Sequence, residues 1–130
     1  MKGSVINMLV VDDEPDIEPL FLQNFRKEIH DGECRFHFAF SGDEAIDYLG
    51  SMEPLDLVLI LSDINMPRMS GLELLKTVKH DFPHLKMIMF TAYDNQKFRE
   101  SAQRMNADGF LAKPIDFTEL KQKISAITTN

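Results

Sequence analysis

Apolar runs of strand length alternate along the chain with segments whose apolar residues recur every three or four positions. "VINMLVV" (5–11) precedes "PDIEPLFLQNFRKEIH" (15–30), "RFHFAF" (35–40) precedes "GDEAIDYLG" (42–50), and "LVLILS" (57–62) precedes "GLELLKTVKHDF" (71–82). The order continues with "KMIMF" (86–90) before "NQKFRESAQRM" (95–105) and "GFLA" (109–112) before "DFTELKQKISAI" (116–127). Five strand–helix pairs in strict alternation predict an α/β fold, a doubly wound parallel sheet with five helices on its two faces. No repeat, low-complexity segment or linker interrupts the pattern, so residues 1–130 read as one domain.

Local detail refines this reading. Phe36, Phe38 and Phe40 share one face of a strand, with His37 and Ala39 on the other, a pattern suited to an edge strand on which His37 is solvated. Ile17, Leu20, Phe21, Phe25 and Ile29 form an apolar stripe on the first helix. Pro15 suits a first helical position, whereas Pro19 one turn later predicts a distorted opening turn. Ser41 and Asp116 read as N-caps, each with a glutamate three residues on, Glu44 and Glu119. The methionines at 66, 69, 87, 89 and 105 read as core filler, and His30, His80 and His84 as solvated residues near helix ends.

Composition narrows the classes. Hydrophobic content of 44% and charged content of 27% are those of an ordinary globular domain. The longest apolar run is five residues, so neither a membrane span nor a signal peptide is expected, and the cytoplasm is the expected location. A formal net charge of −7 repels nucleic acid phosphates, and no basic stripe with interleaved aromatics offsets it. Cys34 is the only cysteine, which excludes an internal disulfide and a cysteine metal site and leaves a small buried hydrophobe.

Candidate chemistry gathers where the predicted strands end, the place at which open parallel sheets bind ligands. The first strand ends in Asp12, Asp13 and Glu14, the third in Asp63, the fourth in Thr91 and Ala92, and the fifth in Lys113 and Pro114. Asp12 and Asp13 alone would suit a helix N-cap pair. Together with Asp63 they make a converging set of carboxylates, whose repulsion of roughly 4 kcal/mol per close pair a divalent cation would relieve. Oxygen-only ligands favour Mg²⁺. Lys113 and Thr91 add a cation and a hydroxyl on the opposite flank, which completes a phosphoryl-transfer site with Asp63 as the nucleophile.

With "LVVDDE" (9–14), "SDINMPRMSG" (62–71), "FTA" (90–92) and "FLAKP" (110–114) in this order, the chain resembles the receiver domain of two-component response regulators. The resemblance implies a flavodoxin-like fold with strand order 2-1-3-4-5. It makes Asp63 the phosphoacceptor for a phosphohistidine on a sensor histidine kinase or phosphotransfer protein. It assigns Mg²⁺ to Asp13, Asp63 and the backbone carbonyl of Asn65, with Asp12 assisting through water. Thr91 and Lys113 hold the phosphoryl oxygens, and Phe110 takes the aromatic switch position without the hydroxyl of a tyrosine. Asn65 and Tyr93 border the route of attacking water, and Lys113-Pro114 is a candidate cis peptide. The stretch from Asp56 to Asp63 is two residues longer than usual, which concerns the start of the third strand and not its end.

The implied activity is a signalling switch that catalyses only its own phosphorylation and dephosphorylation. Its output surface would be the fourth helix, fifth strand and fifth helix, serving an output domain, a downstream protein or a second copy of the chain. Exposed residues of the first helix, such as Glu18 and Gln23, would help choose the kinase. A receiver-like scaffold that binds a partner without phosphorylation is the alternative, and the intact acid cluster with Thr91 and Lys113 argues against it. A Mg²⁺-dependent aspartyl-phosphate phosphatase would need a second acid where Asn65 stands and a substrate cap. With the chain ending at "AITTN", either a stand-alone regulator or the receiver of a longer protein is expected.

Overall fold

The computed structural model describes residues 5–51, 59–91 and 96–128. Five parallel strands, β1 (Ile6–Val11), β2 (Cys34–Ala39), β3 (Leu59–Asp63), β4 (Lys86–Thr91) and β5 (Gly109–Ala112), form one sheet in the order β2-β1-β3-β4-β5. Six helices accompany them: α1 (Ile17–Asn24), α2 (Arg26–His30), α3 (Gly42–Ser51), α4 (Gly71–Asp81), α5 (Gln96–Arg104) and α6 (Phe117–Thr128). Strand order and class agree with the sequence reading.

The sixth helix arises because the segment expected as one helix breaks at Phe25, whose φ of −109° and ψ of 20° leave the helical region. The break is shallow. Phe25 N–H still donates to the Phe21 carbonyl, and Ile29 N–H to that of Phe25, both at 2.9 Å. At the other end of α1 the distorted opening is present as tight turns, with Ile17 N–H donating to Glu14 O and Glu18 N–H to Pro15 O. The helix therefore starts at Ile17, and Pro19 falls in the first turn, where a missing N–H leaves no intrahelical acceptor wanting.

Each strand divides its side chains between two cores. Leu9 and Val11 of β1, Ile60 of β3 and Met87 and Met89 of β4 pack against Leu49, Leu74, Leu75 and Val78 of α3 and α4. Met8 and Val10, Leu59 and Leu61, Ile88 and Phe90 face the other way, toward Ile17, Phe21, Phe25, Leu120 and Ile124. Burial on both faces is why β3 and β4 read as continuous apolar runs instead of alternating ones. Met66, Met87 and Met89 are buried in the first core and Met69 and Met105 pack against it, as core filler should.

The second core is aromatic. Phe21 stacks on Phe25 at 5.9 Å between ring centroids and meets Phe36, Phe38 and Phe117 edge-on at 5.6, 6.4 and 5.1 Å. Two expectations fail around it. Leu20, assigned to the apolar stripe, is 42% exposed, because the α1 face that meets the sheet is set by Ile17, Phe21 and Phe25. His37 is half-buried with its ring 5.1 Å from that of Tyr48, since α3 covers the side of β2 that the edge-strand pattern left open.

The starts of α3 and α6 follow the sequence signals, whereas Pro15, expected as a first helical position, lies in the turn before α1. Ser41 Oγ accepts from Glu44 N–H at 3.0 Å, and Asp116 Oδ1 from Thr118 and Glu119 N–H at 3.0 and 3.2 Å. Cys34 is buried, and burial pushes its thiol up to about 11. His30 and His80 are exposed, as expected. The expected strand residues Leu57 and Val58, the strand-end residue Ala92, and Tyr93 lie outside the described residues. Among the described residues no helix is long and apolar enough to cross a membrane.

Candidate functional site

Strand register alone brings the candidate residues together. Val11 pairs with Ser62, so Asp12 and Asp63 follow side by side on adjacent strands. Asp63 pairs with Phe90 and Thr91 with Ala112, which sets Thr91 and Lys113 just beyond them. This is the carboxyl edge of the sheet, where strand order reverses between β1 and β3. Backbone bonds hold the edge: Asp12 N–H donates to Ala39 O at 3.1 Å, Ile64 N–H to Phe90 O at 2.9 Å and Lys113 N–H to Thr91 O at 2.7 Å.

Asp12, Asp63 and Thr91 are buried, while Asp13 is exposed. One carboxylate oxygen from each of Asp12, Asp13 and Asp63 lies within 4.8 Å of the others, a spacing that suits a shared hard cation. Lys113 Nζ donates to Asp12 Oδ2 at 2.6 Å and stands 3.4 Å from Asp63 Oδ2. The second oxygens are also engaged: Asp12 Oδ1 accepts from Glu14 N–H at 3.0 Å and Asp63 Oδ1 from Asn65 N–H at 3.4 Å. The Lys113-Pro114 peptide is cis.

Electrostatics follow from this packing. Burial pushes the Asp63 carboxyl up to about 6; the nearby Lys113 charge opposes the rise and Asp12 reinforces it. Burial presses the Lys113 ammonium down, but its hydrogen bond to Asp12 and the charges of Asp63 and Asp12 outweigh that, holding it above the usual lysine range. Three carboxylates and one ammonium thus share a small space, with Asp63 only 5% exposed.

The loop after Asp63 depends on Gly71, which the sequence reading quoted without a role. A Cβ at that position would collide with the Asp63 carbonyl oxygen and stand 2.7 Å from Ile64 Cα. The Gly71 N–H uses this approach to donate to Ile64 O at 2.8 Å. Ser70 and Glu73 then form a reciprocal capping box that starts α4, with bonds of 3.2 and 2.9 Å. The signal Ser-x-x-Glu before an apolar run was present in the sequence. Phe110 packs against the first core beside β4, so it sits in the site's neighbourhood through the sheet and not through the acid cluster.

Comparison with known proteins decides the family. Residues 8–125 match the response regulator receiver domain. The chain belongs to that family. A receiver domain protein (CheY-like) from Methanospirillum hungatei JF-1 is similar at 27% identity and a TM-score of 0.82, over 95% of this chain and 93% of that one. A response regulator receiver protein from Pseudomonas putida shares the fold at 21% identity and a TM-score of 0.84, over 95% and 98%. So does the receiver domain of Saccharomyces cerevisiae Ssk1, crystallised with the histidine phosphotransfer protein Ypd1, at 22% identity and a TM-score of 0.81, over 95% and 88%. This receiver is therefore a domain of two-component signalling, and its acid cluster lies at the carboxyl edge of the sheet.

Proposed function

We propose that Asp63 accepts a phosphoryl group from a phosphohistidine, and that the modified receiver then acts on an output domain or partner protein. The observation that carries this reading is the position of Lys113 Nζ, 2.6 Å from Asp12 and 3.4 Å from Asp63, beside the cluster of three carboxylates. A buried Asp63 with a pKa raised to about 6 is still about nine-tenths ionised at pH 7, so its oxygen is available as a nucleophile. Attack forms the Asp63 O–P bond as the P–N bond breaks, and the departing imidazole takes up a proton.

The donor set fits Mg²⁺: it is oxygen-only, and Asp12, Asp13, Asp63 and the Asn65 carbonyl would supply it. When bound, the ion would neutralise charge on the transferring group. Lys113 would leave Asp12 to pair with the phosphoryl oxygens, and the Thr91 hydroxyl would donate to them. Phe110, on the strand beside Thr91, would respond and alter the surface of α5, β5 and α6, the face offered to an output domain or a second copy. The helix that the sequence reading counted fourth is α5 here, and the fifth is α6.

The test is intact mass after incubation with Mg²⁺ and acetyl phosphate, with Asp63→Asn and EDTA controls. One added phosphoryl group that requires both the metal and Asp63 supports the reading. An unmodified wild type, with phosphohistidine donors failing as well, turns attention to a scaffold that binds partners unphosphorylated.

A further inference from the structure

Among the described residues the buried polar ones are Asp12, Asp63, Thr91 and Ser62. The first three belong to the site already described. Ser62 has no task there, although it is fully buried and stands directly before the nucleophile in β3. Register sets it between Val11 of β1 and Met89 of β4, and strand alternation puts it on the face of Ile60. Those three neighbours belong to the first core. A hydroxyl in such surroundings costs stability unless it is hydrogen-bonded. Here it is: Ser62 Oγ donates to the Asp63 carbonyl oxygen at 3.0 Å.

That acceptor belongs to a peptide held on both sides. The Asp63–Ile64 peptide receives the Ser62 hydroxyl at its oxygen and donates its N–H to the Phe90 carbonyl at 2.9 Å. One residue on, Ile64 O accepts from Gly71 N–H at 2.8 Å. Because a peptide unit is planar, fixing this one fixes ψ of Asp63 and with it the direction in which the side chain leaves the strand. The carboxylate's own contacts are longer: Oδ1 is 3.4 Å from Asn65 N–H and Oδ2 is 3.4 Å from Lys113 Nζ, at the weak end of hydrogen-bond range. The aim of the Asp63 carboxylate is therefore set more by the backbone behind it than by the groups in front of it.

We propose that Ser62 is a positioning residue for phosphoryl transfer, whose hydroxyl locks the Asp63–Ile64 peptide and so aims the Asp63 carboxylate at the incoming phosphorus. The proposal rests on the phosphoacceptor reading above. A nucleophile that must meet phosphorus in line loses rate when its direction is blurred, even where the fold is kept. The task differs from those of Lys113 and Thr91, since the Ser62 hydroxyl meets a backbone carbonyl and none of the reacting atoms.

The experiment times phosphoryl uptake from acetyl phosphate with Mg²⁺, by intact mass, in wild type and in Ser62→Ala, Ser62→Val and Ser62→Thr. Val and Thr have nearly the same shape and differ in the hydroxyl, so their comparison separates the hydrogen bond from the packing. Ala removes the hydroxyl alone and adds no volume. Rates are read well below the melting temperature of each variant, so that every protein compared is folded. The expected result is uptake slowed about three- to tenfold in Ala and Val, with Thr within about twofold of wild type. Uptake by Ser62→Ala at the wild-type rate would overturn the proposal. Equal slowing of Thr and Val would overturn it too, because the loss would then follow the packing between Val11 and Met89. Failure of the phosphoacceptor reading is distinct: wild type is then modified neither by acetyl phosphate nor by a phosphohistidine donor.

Discussion

Lys79 on α4 and Asp108, just ahead of β5, are joined by a 2.8 Å ion pair at the end of the sheet opposite the acid cluster. Asp108 Oδ2 also accepts from Met87 N–H at 2.8 Å, while Asp108 N–H donates to Met87 O and Lys79 Nζ to Leu85 O. One carboxylate therefore ties α4, β4 and the entry of β5. Both side chains are about four-fifths buried, at 20% and 22% exposure, so the pair is screened less than a surface bridge. Asp108→Ala should destabilise the fold by about 2–3 kcal/mol, because it strands the Met87 backbone donor and takes the counter-charge from a part-buried ammonium that keeps only the Leu85 carbonyl. Lys79→Met should cost only about 1 kcal/mol, since Asp108 keeps its backbone partner. Urea unfolding of both variants measures this, and equal losses would show that the backbone bond contributes little.

Gly71→Ala tests the close approach beneath the acid loop. The added methyl meets the Asp63 carbonyl and the Ile64 backbone, neither of which is the movable tip of a side chain. Strand β3 or helix α4 must shift, and a loss of about 2–4 kcal/mol is expected, in the range of other overpacked buried sites. The shift should also displace Asp63, so phosphoryl uptake from acetyl phosphate should fall further than stability alone explains. Normal uptake in a destabilised Gly71→Ala would mean that the loop moves and Asp63 does not.

The strands and the four positions at their ends were legible because each rests on a local signal, an apolar run ended by a polar residue and repeated at the carboxyl edge, whereas the strand order came from the family resemblance. Asp12, Asp63, Thr91 and Lys113 are consecutive with strand residues, so register alone assembles them. What the sequence hid depends on distant packing. Leu20 has the right spacing for the α1 stripe, yet only the tilt of that helix on the Phe21–Phe25 core decides that it faces solvent. Asp108 is separated from Lys79 by 29 positions, and nothing near either residue announces the pair. The left-handed backbone of Arg68 is hidden for another reason: side-chain identity does not reveal a positive φ where glycine is absent.

The aromatic core should be the most sensitive part of the hydrophobic interior. Phe21 is fully buried and touches rings from α2's start, β2, β4 and α6. Phe21→Ala should cost about 3–5 kcal/mol, from lost burial, a residual cavity and several edge contacts at once. Phe21→Leu should cost less than half of that, as it keeps most of the volume. Thermal or urea denaturation gives both numbers. A small loss for Phe21→Ala would show that the neighbouring phenylalanines collapse into the space.

The pH dependence of stability tests the burial of Asp63 in the metal-free protein. Its pKa rises from 3.8 to about 6 on folding, so between these values the folded state binds more protons than the unfolded one. The protonated carboxyl is accommodated below about pH 4. As pH climbs through 6 the charged form must be carried in the fold, and about 3 kcal/mol of stability is lost by neutral pH. Asp63→Asn lacks that titration. In EDTA the variant should therefore match wild type near pH 4 and exceed it by roughly that amount at pH 7, other titrations cancelling in the difference. Millimolar Mg²⁺ at pH 7 should stabilise wild type more than Asp63→Asn, because a cation held by the native carboxylates binds the folded state alone. A stability difference that stays flat from pH 4 to 7 would show that Asp63 is solvated far better than its 5% exposure implies.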